Sequence, residues 1–467
     1  MSPQPHARPD VYYFPSIRTT LHHALIRLNP LSYLIPFEFR IADIMENPEA
    51  LIQQAEKLVA KGKSGWSFFG VSEERFENAA TCYRSAAQAY EKKGNFLDAA
   101  AAYIKAGEIQ EKNLKDDFEA PDSYVHASDA YRRALMEEVI PINDNEKAEA
   151  KAKAIDYRKK AIKLTESSSS GSKLRRLSRM YDAIGQIYEK DIAAPLVQDR
   201  ENLLSSKKLT PDEEKRKNAL AEELQPTPND AHELQWLQSK TVFSAEEEAR
   251  LEWLLSEMLR YLEEARTAYK EAADLIRLDS PLNANKLYEQ YADLSIFIAT
   301  LLPHIPEDAK ENADPTQKNA PSTAKNNSKN SHYEDALNAY AIILKALQRD
   351  PVKNRFGIPT YCFKWCVCRL AQCDEVATNR DVPKYQQIEI DMYRQTETDP
   401  VQLQKIIGTV QTKYTLLFEL NDAIRAKNRA MIDAALLKGT SGGLADQWQK
   451  KIYTDIQNKW EHEFEFA

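Results

Sequence analysis

The chain has 467 residues, of which 43% are hydrophobic, 29% are charged and only 12 are glycine. A chain of this length can bury a sizeable core. Its scarcity of glycine argues against phosphate-binding loops, tight β-hairpins and Rossmann crossovers, which use glycine where the backbone takes a positive φ. The net charge of −8 argues against a whole-surface affinity for nucleic acid but allows a local basic patch. Composition therefore favours an all-helical protein.

Residues 1–44 differ from the rest of the chain, since they hold four arginines and no lysine. We interpret them as a disordered lead or a gene-model extension, with translation starting at Met45. A targeting peptide is the alternative, and Asp10, Glu38 and Asp43 weaken it. No stretch approaches the roughly 20 apolar residues of a membrane-spanning helix. The odd number of cysteines, five, fits a reducing cytosol better than a disulfide framework.

An aromatic segment follows the first predicted helix. Residues 63–71 read Lys-Ser-Gly-Trp-Ser-Phe-Phe-Gly-Val, so Trp66, Phe68 and Phe69 lie in a connecting loop. One interpretation is that the three rings dip into a bilayer interface while the neighbouring lysines meet anionic headgroups. The other is a hydrophobic staple packed on the first helix, which the loop taken alone favours.

The next segments repeat with a period of 20 residues. The segment that begins at Phe76 aligns with the one that begins at Phe96, which pairs Tyr83 with Tyr103, and a third copy places Tyr124 one residue late. Each copy reads as an amphipathic helix in which alanines allow close approach and aromatic rings fill the gaps. We predict antiparallel helical hairpins stacked in a tetratricopeptide-like solenoid.

The same pattern returns further along the chain and sets the predicted domain boundaries. It recurs in residues 177–188, 261–273, 284–292 and 333–340. The caps Thr210-Pro-Asp-Glu and Ser244-Ala-Glu-Glu predict two helix starts, the second for a long helix reaching about Arg277. We therefore predict an all-α chain with a solenoid over 45–375, an insertion at 195–243, a flexible loop at 308–332 and a C-terminal helical bundle over 376–467 that caps the solenoid.

Residues that could carry chemistry are sparse. The spacings within Cys362, Cys366, Cys368 and Cys373 do not fit a zinc site, and we interpret these cysteines as small apolar side chains of a packed helix. The sequence contains no Walker loop, no dinucleotide fingerprint and no His-Glu-x-x-His arrangement. We predict no metal, no cofactor and no catalytic activity.

Basic residues recur on the successive predicted hairpins. Either they are scattered solvated charges, which a census of charge favours, or a twisted stack aligns them on one face. The residues are Arg132, Arg133, Arg175, Arg176, Arg179, Lys286, Arg355 and Lys364.

Several of these segments together resemble the soluble NSF attachment proteins, alpha type. The resemblance is most specific over residues 55–133, with the Trp-Ser-Phe-Phe-Gly loop, the Ala-Ala-x-x-Tyr helices and the Lys93-Gly-Asn-Phe turn. Looser matches occur at residues 183–189, 284–287, 361–368 and 444–448. They appear in family order and cover most of the chain from Met45 onward.

The resemblance implies an adaptor, not an enzyme, that coats the four-helix SNARE bundle at membranes and recruits the hexameric ATPase NSF for disassembly in vesicle trafficking. It also implies a cytoplasmic, peripherally membrane-associated protein that binds no nucleic acid. Its membrane-contact residues would be Trp66, Phe68 and Phe69. Its SNARE-binding residues would be Lys93, Arg132, Arg133, Arg179, Lys286, Arg355 and Lys364. Its ATPase-contact residues would be Asp446, Trp448, Phe464 and Phe466.

Two other functions compete with this reading. The first is a generic tetratricopeptide-like scaffold that binds linear peptides in trafficking or chaperone complexes, without stimulating an ATPase. The second is a hydrolase within the 195–243 insertion, which the lack of paired acid and base motifs disfavours.

Overall fold

The computed structural model describes residues 47–64, 71–136, 144–168, 171–207, 209, 211–222, 233–234, 237, 241–302, 329–441 and 452–457. Within these ranges the chain is all-α, with fifteen named helices and no strand, so the predicted fold class is confirmed there. The helices are α1 (Pro48–Ser64), α2 (Val71–Lys92), α3 (Phe96–Ile109), α4 (Glu119–Met136), α5 (Asp144–Ser167), α6 (Lys173–Gln186), α7 (Ala194–Ser206), α8 (Pro211–Glu222), α9 (Ala245–Ile276), α10 (Pro281–Leu301), α11 (Lys329–Leu347), α12 (Gly357–Ala371), α13 (Glu375–Thr396), α14 (Pro400–Arg425) and α15 (Arg429–Ser441).

Short π-helical segments continue α3 and α6, over Gln110–Leu114 and Ile187–Ala193, and residues 452–457 are also helical. Of the helices described, none combines the length and the apolar character needed to cross a membrane.

The helices pack mainly in chain order, each against the one before and the one after it. This succession is that of a helical-hairpin solenoid. It is interrupted once, because α6 packs directly against α9 while α7 lies on the side of α9. The segment between α6 and α9 therefore leaves the stack and returns to it.

Alternation of helix direction gives the stack two edges. We call first edge the one that carries the α3–α4, α5–α6, α9–α10 and α11–α12 turns, and second edge the opposite one. Two contacts link turns along the first edge. Arg176 donates to the backbone oxygen of Phe118 at 2.9 Å, and Arg175 pairs with Asp279 at 2.5 Å between Nε and Oδ2.

The repeated aromatic and alanine positions fill the core as predicted. Ala79, Tyr83, Ala99, Tyr103 and Tyr124 are all buried. A buried phenol needs an acceptor for its O–H group. The acceptor is a carboxylate on a neighbouring helical segment in most of these repeats. The pairs include Tyr124 with Glu111 (2.6 Å), Tyr269 with Glu189 (2.6 Å) and Tyr340 with Asp293 (2.8 Å).

Two glycines allow these rings to approach closely. A Cβ on Gly107 would lie 2.9 Å from the ring of Tyr124, and one on Gly185 would lie 2.7 Å from the ring of Tyr269. In both junctions the π-helical segment that follows supplies the carboxylate acceptor. The period-20 pattern predicts the rings but not the π-helical segments.

The helix starts agree with the sequence at α9 and differ at α11. Ser244 caps α9 in a complete capping box with Glu247, and α9 ends at Ile276, as predicted. α11 already begins at Lys329, inside the predicted flexible loop, because Lys329 and His332 are buried. Residues 303–328 of that loop, and residues 1–46, lie outside the described part of the chain.

Candidate functional site

A polar groove of about 890 Å³ lies between α6 and α10, near the α9–α10 turn. α6 contributes Arg175, Arg179 and Asp182, at spacings of three and four residues that place them on one helical face. α10 contributes Lys286 among others, and the side chain of Ile276 from α9 also lines the groove. The groove is therefore built from parts of the sequence that are far apart. The other lining residues are Ser178, Gln186, Ser280, Asn283, Leu287, Glu289, Gln290 and Asp293.

The acidic residues of the α10 wall are held by a cation behind it. Lys364 of α12 lies 2.9 Å from Glu289 and 3.5 Å from Asp293, measured from Nζ to the carboxylate oxygens. Tyr361 also donates to Glu289, at 2.8 Å. The side chain of Lys364 is only 13% exposed. These contacts join α10 to α12 and take up much of the negative charge on that wall.

Burial shifts the pKa values of Asp293 and Lys364 in this network. It raises the pKa of Asp293, although the nearby Lys364 lowers it in part. Burial lowers the pKa of Lys364, but Asp293 and Glu289 outweigh that effect, so its pKa lies above the usual value. The ammonium group therefore stays protonated at neutral pH and keeps its bridging role.

Two cations that line the groove have surroundings unlike those of Lys364. Arg179 and Lys286 are exposed, and neither forms an ion pair with any residue in the described ranges. Arg179 Nε makes one long hydrogen bond, 3.4 Å, to the backbone oxygen of Arg175. These two side chains are therefore available to a negatively charged partner that enters the groove.

The other basic residues that the resemblance assigns to SNARE binding lie elsewhere. Arg132 forms a two-point pair with Asp191, at 2.6 and 3.3 Å, which joins α4 to the π-helical segment after α6. Arg133 is exposed over the ring of Phe96, at 4.5 Å, and pairs with Glu91 at 3.4 Å, near the α2–α3 turn that carries Lys93. Arg133 and Lys93 thus share the second edge, away from the groove.

Arg355 lies in the α11–α12 turn on the first edge, over the exposed ring of Phe356 at 4.8 Å. Of the seven residues predicted to bind SNARE complexes, the structure brings only Arg179 and Lys286 together in the groove. Arg132 and Lys364 are engaged in pairs between helices. The predicted membrane and ATPase contacts lie outside the described residues: Trp66, Phe68, Phe69, Asp446, Trp448, Phe464 and Phe466.

The cysteine cluster lies in the interior of α12. Cys362, Cys366 and Cys368 are fully buried, and burial raises the pKa of each thiol. Cys373 is not on the helix with them, since α12 ends at Ala371 and Cys373 takes a positive φ of 56° in the following turn. Among the described residues no group of three or more His, Cys, Asp or Glu could hold a metal ion.

Sequence reasoning missed the acidic half of the groove. Asp182 lies one turn after Arg179, and Glu289 and Asp293 follow Lys286 at spacings of three and seven. Those helical spacings are visible in the sequence. What the sequence does not show is that α6 and α10 face each other across the end of α9.

Comparison with known proteins finds similarity over the first part of the chain. The family model of the soluble NSF attachment proteins, SNAP, matches residues 46–199. That match covers about a third of the chain, and over these residues the chain is similar to the SNAP family. A protein of Neurospora crassa named as a probable vesicular-fusion protein sec17 homolog is 30% identical over 94 residues. That alignment covers 20% of this chain and 32% of the Neurospora protein, about a third of its length.

The SNAP match covers only one side of the groove. Residues 46–199 include α1 to α6 and the start of α7, so they supply the wall that carries Arg179. The wall that carries Lys286 lies beyond the match. The all-helical stack nevertheless continues from α6 through α9 and α10 without a break in packing.

Proposed function

We propose that this chain is a SNAP-type adaptor, of the alpha branch, that binds assembled SNARE complexes at membranes and recruits and stimulates a hexameric NSF-type ATPase. In this proposal the chain performs no catalysis and works in the cytoplasm as a peripheral membrane protein. The SNAP match and the similarity to a vesicular-fusion protein support this role. They extend over part of the chain only, so the partners belong to the proposal.

The observation that carries the proposal is the position of Arg179 and Lys286. These cations come from different helices, face the same groove, and have no ion-pair partner among the described residues. A bundle of helices with acidic surface residues would supply the missing negative charge. Exposed complementary charges of this kind raise the association rate and fix the orientation of the partner.

The mechanism follows from the stiffness of the stack. Lys364 with Glu289 and Asp293, and Arg132 with Asp191, join helices that are not consecutive in the chain. A stack held in this way can transmit a force from one end to the other without changing the shape of the groove. Arg355, Lys93 and Arg133 would then add weaker contacts along the two edges.

The direct test is capture of a purified, assembled SNARE complex by the full chain carrying Arg179→Glu and Lys286→Glu. We expect at least about a tenfold loss of affinity at low salt, because each exchange turns an attraction into a repulsion. The control carries Lys163→Glu and Lys405→Glu, which make the same change in net charge at exposed sites outside the groove. Equal binding by both variants would remove the groove from the proposal.

The aromatic loop has its own test. Phe68→Ser together with Phe69→Ser should slow disassembly of SNARE complexes anchored in liposomes far more than that of soluble complexes. The reason is that the loss of two apolar rings affects only the step at the bilayer. Equal slowing of both reactions would contradict a membrane role for the loop.

A peptide-binding scaffold remains the alternative function, favoured by one observation. The groove also carries Asp182, Glu289 and Asp293, so its walls present both signs of charge. A linear peptide with mixed charges would fit such a lining. This alternative predicts capture of short peptides and no stimulation of the ATPase, which the same purified components can measure.

A further inference from the structure

The first edge carries large apolar side chains that point into solvent. Leu278 in the α9–α10 turn is 87% exposed, Leu282 at the start of α10 is 68% exposed, and Phe356 before α12 is 76% exposed. Val352 and Leu174 on the same edge are exposed as well. Single exposed apolar residues are ordinary, whereas a row of them along one edge marks a contact surface.

The contacts between the turns show that these side chains form one row. Arg175 pairs with Asp279 in the α9–α10 turn. Leu174 and Leu278 are the residues just before Arg175 and Asp279, so this pair brings the two leucines to the same place on the edge. α10 and α12 run in the same direction, since both pack antiparallel to α11: Lys329 reaches the end of α10, and Arg369 reaches Glu334 near the start of α11.

The contact of Tyr361 with Glu289 then sets the level of the two helices. Phe356 is five residues before Tyr361, and Leu282 is seven before Glu289. At 1.5 Å per residue both lie about 7–11 Å from that contact, toward the same end. We call Leu174, Leu278, Leu282, Val352 and Phe356 the apolar row.

Basic side chains accompany the apolar row. Arg277, Arg349 and Arg355 are exposed and form no ion pair within the described part of the chain. The acids of these turns are already engaged, because Asp279 pairs with Arg175 and Asp350 with Lys353 at 3.0 Å. The uncompensated charge beside the apolar row is therefore positive.

This combination selects the chemistry of the partner. Apolar tips with arginine and lysine beside them suit the boundary of an anionic bilayer, where the tips enter the acyl region and the cations meet the headgroups. A second copy of the chain would instead place like charges opposite one another. The end of α1 at Ser64 and the start of α2 at Val71 lie on this same side of the stack, because α1 packs antiparallel to α2: Tyr90 near the end of α2 donates to Glu49 at the start of α1.

We infer that the apolar row and its basic neighbours form a second membrane-binding surface, which takes an anionic lipid surface and acts in addition to the aromatic loop. The inference shares with the proposed function only the premise that the chain works at a membrane. Several weak contacts held on one rigid edge bind together far more tightly than one of them alone.

The test is flotation of the full chain with vesicles of phosphatidylcholine, with and without phosphatidylserine. We compare wild type with a variant carrying Leu278→Ser, Leu282→Ser and Phe356→Ser. The control carries Met136→Ser and Val376→Ser, which are similarly exposed but lie on the second edge. We expect at least about a tenfold loss of binding to phosphatidylserine vesicles in the row variant, and little change in the control.

A charge variant tests the contribution of the basic side chains beside the apolar row. Arg277→Glu with Arg349→Glu should abolish the preference for phosphatidylserine while leaving weak binding to phosphatidylcholine. Retention of that preference would overturn the inference, and so would wild-type flotation by the row variant. If the wild type self-associates and the row variant loses both self-association and flotation, the apolar row binds a second copy of the chain. That result would also overturn the inference.

Failure of this inference is distinguishable from failure of the proposed function. If only Phe68→Ser with Phe69→Ser lowers flotation, the aromatic loop is the membrane contact and the apolar row is not. Capture of soluble SNARE complexes by the row variant reports separately on the groove and on correct folding. A row variant that captures soluble complexes normally but no longer floats is the result that we expect.

Discussion

Lys286 and Lys364 both approach α10, but their surroundings are opposite. Lys364 reaches α10 from α12 and is nearly buried between Glu289 and Asp293. Lys286 projects from α10 itself into the groove and has no ion pair among the described residues. The first kind of charge holds helices together, whereas the second can exchange water for a partner at little cost to the fold. The position of a charge relative to the neighbouring helix thus decides which role it has.

The largest expected effect concerns the most buried ion pair in the described ranges. Lys329 and Asp455 are both under a tenth exposed, and Tyr333 donates to the same carboxylate at 2.8 Å. Lys329→Met should lower the free energy of unfolding by about 3–5 kcal/mol, since it leaves a buried carboxylate uncompensated. Chemical denaturation measures it, with the exposed Lys353→Met as a control that should be neutral. A neutral Lys329→Met would break the distinction between interior and groove charges.

The next effect concerns the close packing of α6 on α9, which positions the α6 wall of the groove. Gly185→Ala places a methyl group 2.7 Å from the buried ring of Tyr269, which its hydrogen bond to Glu189 holds in place. We expect a loss of about 1–3 kcal/mol in the free energy of unfolding, from overpacking.

Gly408→Ala is the matched control for Gly185→Ala. Gly408 is helical with nothing within 4 Å of a built Cβ, and there alanine should stabilise the chain by about 0.5–1 kcal/mol. Equal effects of the two substitutions would contradict the close packing at the α6–α9 junction.

The comparison between Lys286 and Lys364 is tested most sharply by the same substitution at both positions. Lys364→Met should destabilise the chain by about 1–2 kcal/mol, a value reduced because Glu289 and Asp293 are partly exposed. Lys286→Met should leave the unfolding transition unchanged and weaken capture of the SNARE complex. Denaturation and capture measured on both variants give four numbers. A pattern in which both variants lose stability equally would contradict separate roles.

The smallest expected effect is a pH dependence of the interior. His332 is buried and faces Glu263 and Arg266 of α9 and Asp335 of its own helix. Burial lowers its pKa from the usual 6.5, although Glu263 opposes this in part. Below pH 6.5 the unfolded chain therefore takes up a proton that the folded chain does not, and stability falls until the pH reaches the folded-state pKa.

His332→Gln should reduce that loss of stability on acidification. The exposed His126→Gln serves as a control and should behave as wild type. Unfolding curves at several pH values decide the point, and parallel curves for wild type and His332→Gln would contradict it. No histidine is among the lining residues of the groove, so capture of a partner should not follow the same pH dependence.

Local patterns in the sequence predicted much of the fold. The capping box at Ser244 and the repeated Tyr and Ala positions depend on neighbours within one or two helical turns, so they are readable without a structure. Pro383 shows the limit of such reading, because a proline usually ends a helix but this one lies inside α13, which runs from Glu375 to Thr396.

The candidate site was less predictable because it depends on which helices face each other. Arg179 and Lys286 could be selected as basic residues, but only the packing of α6 on α9 brings them to one groove. Lys364 could be selected in the same way, yet it pairs with Glu289 of α10 and is therefore not available to a partner. Helical periodicity gives the face of each side chain and says nothing about the charge on the opposing helix.

The central claim is that the groove cations hold a SNARE bundle for an NSF-type ATPase. The most direct measurement is the ATPase rate of a purified NSF-type hexamer with this chain and an assembled soluble SNARE complex. We predict stimulation by wild type and by the Lys163→Glu, Lys405→Glu control, and loss of stimulation with Arg179→Glu and Lys286→Glu. Absence of stimulation by wild type, or full stimulation by the groove variant, would contradict the account.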